Sequence, residues 1–185
     1  SNVAVGKNAL QSNTTADNNT AVGHTALGAN TTGTRNTSVG TFSLDANTTA
    51  NDNTAVGYNA ATAITTGASN TAIGASALLT LATGTGNTAV GYNALTLAQN
   101  TSSNTAVGYY AAGAITTGNY NTMIGDRSGD GITTAERNTG LGYRALSAPS
   151  CTGANNTAVG VDALLANTTG ANSVAVGYQA LDAQT

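Results

Sequence analysis

Charged and aromatic side chains are scarce in this chain. Asp, Glu, Lys and Arg make up 7% of its 185 residues, against roughly 25% in ordinary soluble domains. Aromatic residues account for 4%, with no Trp and a single Phe, which excludes a conventional core of large side chains. The five Lys and Arg residues are spread singly and the formal net charge is -3. This balance excludes a basic nucleic-acid-binding surface.

Cysteine, proline and long apolar runs are also nearly absent. The only cysteine, Cys151, excludes an internal disulfide framework. Together with Pro149, it predicts a bulged turn that carries a free thiol. No apolar run approaches the roughly 20 residues of a membrane span, and no signal-peptide pattern opens the chain at Ser1. Because the sequence begins and ends within a repeated pattern, we expect a piece of a longer protein.

The side chains needed for catalysis are few and scattered. His24 and Glu136 are the only residues of their types, and the seven Asp fall mostly in separate parts of the chain. No nucleophile–base pair or metal-ligand spacing recurs, so we expect a non-enzyme with no cofactor and no metal. The Asp-Arg-Ser-Gly-Asp-Gly segment at 126–131 lacks the alternating Asp/Asn and the bidentate Glu of a calcium loop. A solvated turn is the favoured interpretation of it.

What the chain does contain is one unit repeated along its whole length. The unit is typified by Asn-Thr-Ala-Val-Gly-Tyr-Asn-Ala-Leu at 87–95, and its glycine recurs at intervals of 17 residues, with a single interval of 18. A short period held over a whole chain is typical of a solenoid. The eleven repeat glycines are Gly6, Gly23, Gly40, Gly57, Gly74, Gly91, Gly108, Gly125, Gly142, Gly160 and Gly177.

The residues before each glycine predict a short strand. The first of them is Asn in ten of the eleven units, and it is followed in most units by Thr, Ala and then Val, Ile or Leu. Thr and Val at alternate positions indicate a strand of period two. We expect the Val to point into the core, opposite the Leu that stands four residues after the glycine. The Ala and Gly would then face a second, closely approached surface.

The remainder of each unit predicts a second short strand between two turns, of which Thr31-Thr32-Gly33 is typical. Residues 1–185 are therefore predicted to form a single domain, an all-β parallel β-solenoid of eleven 17-residue coils. At about 4.8 Å per coil the rod would be on the order of 50 Å long, with Asn side chains stacked along its axis. A helical repeat is disfavoured, since 17 residues cannot hold a helix pair and Thr, Val and Gly oppose helix.

So thin an interior predicts self-association. A coil enclosing one Val, one Leu and two Ala buries little apolar surface at about 25 cal/mol per Å², while each ordered residue costs roughly 1–2 kcal/mol of backbone entropy. We therefore expect a symmetric homo-oligomer with its axis along the rod. A lone solenoid capped by other domains is the alternative.

Two variable columns follow the glycine and predict a surface strip. Stacking places equivalent positions of neighbouring coils side by side, so aromatic, Arg and Asp side chains would line up there. Such side chains can stack on and hydrogen-bond a glycan or a protein, although exposed decoration of the coils is the simpler interpretation. The candidate ligand-binding residues are Tyr92, Tyr109, Tyr110, Arg127, Tyr143, Arg144 and Asp162.

The repeated Asn-Thr-Ala-Val-Gly-x-x-Ala-Leu unit, and especially Asn172 to Gly177, resembles the head repeat of YadA-like trimeric autotransporter adhesins. With its Asn-Thr-Thr-Gly turn at Asn30 to Gly33, it also resembles shafts of phage-type tail fibres. The resemblance implies a left-handed β-roll, a homotrimer, an extracellular, cell-surface or virion location, and attachment to a host-surface glycan or protein. The coils are a few residues longer than those of the adhesin heads, and Thr replaces the first apolar residue in most units.

Three functions follow as hypotheses. The leading one is a rigid trimeric adhesive fibre segment, or the related tail-fibre shaft. A second is a subunit that stacks end to end into an extracellular filament, because open solenoid ends expose unpaired strand edges. A third is ice binding through a Thr array. It ranks low, because Thr would point the same way as the Val that we expect in the core.

Overall fold

The computed structural model describes residues 1–183 of the chain. Within that range it contains eleven β-strands and no helix. Each strand has three residues and ends directly before a repeat glycine. The strands are β1 Val3–Val5, β2 Thr20–Val22, β3 Thr37–Val39, β4 Thr54–Val56, β5 Thr71–Ile73, β6 Thr88–Val90, β7 Thr105–Val107, β8 Thr122–Ile124, β9 Thr139–Leu141, β10 Thr157–Val159 and β11 Val174–Val176.

All eleven strands form one parallel sheet in the order of the chain. Every strand pairs with the next in register, so that Thr88 lies beside Thr105 and Val90 beside Val107. The 18-residue interval does not disturb this register, because Thr139 still pairs with Thr157. The predicted all-β parallel β-solenoid is thus confirmed.

The strands face the opposite way from our expectation. Ala89, in the middle of β6, is fully buried, whereas Thr88 and Val90 on either side are only half-buried and point outward. The same pattern recurs in β2 to β7. The prediction of Val in the core is therefore wrong. Both Ala and Val are apolar, and the smaller side chain takes the inner position because the opposite wall approaches closely.

The opposite wall also differs from the prediction of a second strand, because it is a run of turns. Its buried leucines adopt left-handed backbone angles, with φ of 50° at Leu95 and 51° at Leu27. This conformation costs a non-glycine residue roughly 1–2 kcal/mol. Hydrogen bonds to the next coil offset the cost, as when the N–H of Leu95 donates to the carbonyl of Ala111 at 3.0 Å.

The repeat glycine makes the corner between the strand and the turns. Gly91 has a φ of 135°, which side-chain-bearing residues rarely adopt. A Cβ at this position would overlap the carbonyl group of Gly108 in the next coil, 2.7 Å from its carbon atom. The same approach recurs at the repeat glycines from Gly6 to Gly160. Close backbone stacking at this corner therefore requires glycine.

A buried ladder of asparagines lines the interior and confirms that these side chains stack along the axis. In Asn87 the Nδ2 atom donates to Oδ1 of Asn70 at 3.0 Å and to the carbonyl of Thr101 at 2.8 Å. Its Oδ1 accepts the backbone N–H of Asn104 at 3.1 Å. The bond to the backbone N–H recurs at each step from Asn2 to Ser173. The ladder thus satisfies polar groups that the turns would otherwise leave buried without partners.

The eighth and ninth coils depart from the repeat in a compensating way. Met123 stands where other strands have Ala or Ser, and its side chain is fully buried. Two glycines make room for it: a Cβ at Gly129 would lie 2.6 Å from the Met123 sulfur, and one at Gly140 would lie 2.7 Å from it. In most coils the position of Gly129 is occupied by Leu. Met123 therefore fills the volume that the missing Leu leaves.

The single extra residue of the repeat lies in the bulge around Pro149, as the sequence predicts. Cys151 is a free cysteine, but its side chain is fully buried rather than exposed in the loop, and its backbone forms a bridge with Ile132. Burial raises the pKa of the Cys151 thiol, against a smaller lowering by a backbone hydrogen bond from Gly153. The extra residue is thus absorbed on the surface while the interior stack continues.

Candidate ligand-binding surface

The two columns that follow each repeat glycine form a continuous surface, which we call the side strip. It contains the first and second residues after each glycine in coils six to ten, from Tyr92 to Asp162. A backbone ladder holds it together: the N–H of Tyr110 donates to the Tyr92 carbonyl at 3.0 Å, and that of Arg127 to the Tyr109 carbonyl at 2.8 Å. Side chains from successive coils are therefore fixed next to one another.

The upper part of the side strip is an aromatic cluster. The rings of Tyr92 and Tyr109 stack at 5.5 Å with 15° between their planes. Tyr110 meets the ring of Tyr109 edge to face at 4.7 Å and that of Tyr92 at 5.7 Å. The three tyrosines of the predicted site thus lie together, and Tyr92 and Tyr109 remain about half exposed. Stacked phenol rings of this kind offer both a flat apolar face and a hydroxyl group.

The lower part of the side strip carries charge. The guanidinium of Arg144 lies 5.9 Å from the centre of the Tyr143 ring, and its Nη1 atom is 3.7 Å from Oδ1 of Asp162. At that distance the ion pair is loose and contributes at most about 1 kcal/mol. The structure therefore places Arg144 between an aromatic ring and a carboxylate, while Arg127 lies one coil away.

Three of the predicted residues also border an open groove of about 750 Å³ that crosses coils eight to ten. Asp162 is not among the lining residues, and the three tyrosines of the aromatic cluster lie elsewhere on the strip. The residues that line the groove are Arg127, Asp130, Gly131, Tyr143, Arg144, Ser147, Pro149, Leu165 and Ala166. We refer to it below as the bulge groove.

Six of these lining residues are absent from the sequence-based prediction. They belong to the turn wall, five and six residues after the glycine, and to the Pro149 bulge. The 18-residue interval is the one signal in the sequence that could have pointed to them. It marks the coil in which the wall must deviate, and the groove lies at that deviation.

Burial and neighbouring charges set the electrostatics of the groove. The pKa of Asp130 is raised by burial, and a hydrogen bond from Ser147 and the charges of Arg127 and Arg144 oppose that increase. Ser147 also donates its hydroxyl to the backbone carbonyl of Arg127. The Asp130 carboxylate is therefore partly desolvated and held beside two guanidinium groups.

Two further surface clusters lie outside the predicted residues. His24, Phe42 and Tyr58 form a chain of edge-to-face rings, with centroids 5.1 Å and 6.5 Å apart. In another column, the guanidinium of Arg137 lies 6.0 Å from the centre of the Tyr120 ring. These clusters resemble parts of the side strip in composition, but none of their residues lines the bulge groove.

The 126–131 segment does not gather further metal-ligating groups around itself. Over the described range, no three His, Cys, Asp or Glu side chains come together in a way that could hold a metal ion. Asp130 instead faces Ser147 and the two arginines of the groove. The segment is part of the turn wall.

Comparison with protein-family models, with curated proteins and with solved structures finds no match to this chain. Residues 1–183 include no helix long and apolar enough to cross a membrane. The function is therefore argued from the solenoid and its surfaces.

Proposed function

We propose that this chain is a segment of a rigid homotrimeric rod that attaches to a host surface outside the cell. The observation that carries the proposal is the outward face of the sheet, which we call the strand face. In all eleven strands its two columns contain only Thr, Val, Ile or Leu. Charged residues occur in the other columns of the coil, so the strand face alone has the composition of a buried interface.

The geometry of the strand face supports association along the rod axis. Eleven strands in register make it flat and continuous over about ten steps of 4.8 Å. Val56 and Ile73 are 36% and 40% exposed in the single chain. Pressing copies together along this face would bury the whole column and supply the apolar core that a single coil lacks.

The number of chains and the handedness rest on the resemblance to YadA-like heads and tail-fibre shafts, both of which imply three chains around a common axis. A trimer that packs its strand faces inward leaves the side strip on the outside, since the strip lies beyond the glycine corner. Repetition of the strip on three chains favours multivalent attachment to a glycan or protein surface. The filament and the tail-fibre shaft remain alternative settings for the same rod.

Light scattering tests the proposal. We expect the wild-type protein to have three times the 18.0 kDa mass of the chain. Replacing both Val90 and Val107 by Asp should reduce the mass toward that of a single chain, because each carboxylate would be desolvated in the interface. Val161→Asp is the matched control: Val161 is 40% exposed but lies on the side strip, so its mass should stay at three chains.

A single-chain mass for the folded wild-type protein would overturn the trimer. Electron microscopy of the same sample separates the two assembly modes, because discrete rods support the fibre segment and continuous filaments support end-to-end stacking. Binding of the rods to host cells, measured with and without glycosidase treatment, tests the adhesive role.

Ice binding is a second candidate, and the orientation of the strands favours it. Its low rank in the sequence analysis rests on the expectation that Thr points inward with the Val. Thr88 and Val90 in fact lie together on the outside, and the same pair is repeated along a flat sheet. A single-chain particle with thermal hysteresis would favour ice binding, whereas a trimer buries this face and opposes it.

A further inference from the structure

We propose that the bulge groove is a binding site for a neutral saccharide, recognised by Tyr143, Arg127 and Asp130. This inference deepens the proposed attachment function and rests on it. It assigns the binding chemistry to one place on the rod instead of to the whole side strip.

The groove exists because the repeat is interrupted there. Elsewhere each coil covers the one before it with the same residues, so the turn wall is uniform. At Pro149 the extra residue displaces the wall, and the carbonyl of Ala148 occupies the place that a side chain at position 131 would need. Gly131 and the bulge thus create a concave surface of about 750 Å³, within the range of small-ligand sites.

The lining of the groove combines the three kinds of group that bind a sugar. Tyr143 offers an aromatic ring, which can pack against the C–H face of a pyranose. The guanidinium of Arg127 is a donor-only group and the carboxylate of Asp130 is an acceptor-only group. Neighbouring hydroxyls of a sugar can accept from the first and donate to the second. Pro149 and Leu165 complete the apolar part of the surface.

Arg127 and Asp130 are available for such contacts. Arg127 is exposed and makes no ion pair with another described residue, whereas Arg144 is engaged by Tyr143 and Asp162. Asp130 is half-buried beside the groove, and burial of its carboxylate strengthens any hydrogen bond that it accepts. The site therefore has one free donor group and one partly desolvated acceptor.

The charge balance favours a neutral ligand over an anionic one. Arg127 and Arg144 bring two positive charges, while Asp126 and Asp130 act on the same site and Asp162 pairs with Arg144. Three carboxylates against two guanidinium groups leave the surroundings slightly negative. A carboxylated or sulfated sugar would be repelled more than it is attracted.

The groove also stays open in the proposed assembly. It is lined mainly by the turn wall, five to seven residues after the glycine, and not by the strand face that would pack against partner copies. Ligand binding and trimer formation therefore do not compete for the same surface.

Saturation-transfer NMR on the assembled wild-type protein tests this inference. The probes are two neutral trisaccharides, maltotriose and triacetylchitotriose, and two acidic ones, sialyllactose and trigalacturonic acid. We expect transfer to at least one neutral probe and roughly tenfold weaker binding in Tyr143→Ala and in Arg127→Ala. Tyr58→Ala and Arg137→Ala are the matched controls. Tyr58 occupies the same register as Tyr143 in another coil, and Arg137 shares the left-handed φ of Arg127, 57° against 53°.

Binding of a neutral probe that is lost only in the groove variants supports the inference. Transfer to the acidic probes alone, transfer that the groove variants leave unchanged, or no transfer to any probe overturns it. These outcomes are independent of the proposed rod, because light scattering on the same samples reports the three-chain mass whether or not the groove binds sugar. Loss of that mass in a groove variant identifies misfolding, and Asp130→Asn then provides the test in its place.

Discussion

The side-chain oxygen of Asn70 accepts the backbone N–H of Asn87, in the next coil, at 2.9 Å. Asn87 repeats the interaction toward Asn104 at 3.1 Å and also donates to the carbonyl of Thr101 at 2.8 Å. One amide thus joins three successive coils by satisfying backbone groups on both sides. A chain with so few large side chains is stabilised by such buried polar contacts as well as by apolar packing.

Replacing Asn87 by Ala should therefore be costly. The N–H of Asn104 and the carbonyl of Thr101 would be left buried without partners, at about 1–3 kcal/mol each. We expect the free energy of unfolding to fall by roughly 2–5 kcal/mol, measured by chemical denaturation. Asn100→Ala removes an exposed amide that accepts one hydrogen bond, from Thr83, and should change stability by less than about 0.5 kcal/mol. Equal losses in the two variants would contradict the structural role of the ladder.

The glycine corner predicts a contrast between two glycines of similar sequence surroundings. Gly91→Ala forces a Cβ into the carbonyl of Gly108 and a strained φ of 135°, so we expect a loss of at least about 3 kcal/mol or failure to fold. Gly86 has a φ of 67°, and a Cβ there would lie 3.9 Å from the Ser103 hydroxyl oxygen, which is ordinary van der Waals contact. Asn occupies the same register at Asn18 and Asn155, so Gly86→Asn should be neutral or stabilising by up to about 1 kcal/mol. Thermal unfolding of both variants makes the comparison.

The packing of Met123 against Gly129 predicts a reversal of sign in a double-mutant cycle. Met123→Ala should cost about 2–5 kcal/mol, because it leaves a cavity. Gly129→Leu alone should also destabilise, since its Cβ would lie 2.6 Å from the Met123 sulfur. Combined with Met123→Ala, the same leucine would occupy the cavity in the backbone conformation that Leu146 adopts. We expect a favourable coupling of roughly 1–3 kcal/mol from denaturation curves, and additive losses would refute the compensation.

Burial of Cys151 predicts slow thiol chemistry in the folded protein. Its pKa is raised by burial, so the reactive thiolate is scarce as well as shielded. Ellman's reagent at mildly alkaline pH should label the native protein negligibly and label one thiol per chain in urea. A Thr152→Cys substitution in a Cys151→Ala background places a thiol at an exposed neighbouring position and should react without denaturant. Rapid labelling of native Cys151 would contradict the packing that we describe.

The same shift predicts the direction of a pH dependence. Because the folded pKa of Cys151 lies above the unfolded value, its contribution to stability is fully present below the usual thiol range of about 8.5 and is lost as pH rises through the folded pKa. Alkaline pH should therefore destabilise the wild-type protein more than Cys151→Ala, as measured by urea denaturation of both proteins across the alkaline range.

The fold was predictable because a period of 17 residues constrains the backbone strongly. A glycine, an asparagine and a Thr-Thr-Gly turn at fixed offsets specify stacked coils, and the asparagine ladder follows from that stacking. The orientation of Val90 was not predictable in the same way. In a three-residue strand, alternation divides Ala from Val, but hydrophobicity does not decide which of two apolar residues lies inside.

The second wall shows a different limit. Leu95 has a left-handed backbone that intrinsic preferences oppose, and only the hydrogen bonds of the assembled stack compensate for it. The positions of the side-strip residues could be derived from register alone. The bulge groove could not, because its shape depends on how one extra residue near Pro149 displaces the neighbouring coils.

The equal offsets of all interior contacts have an evolutionary implication. Gain or loss of one whole unit by recombination within the gene joins surfaces that already match, so the rod can change in length by about 4.8 Å per event while its cross-section is preserved. The bulge around Pro149 has no second copy among residues 1–183. Length can therefore vary freely on either side of it, which would alter how far the groove stands from whatever the fibre is anchored to.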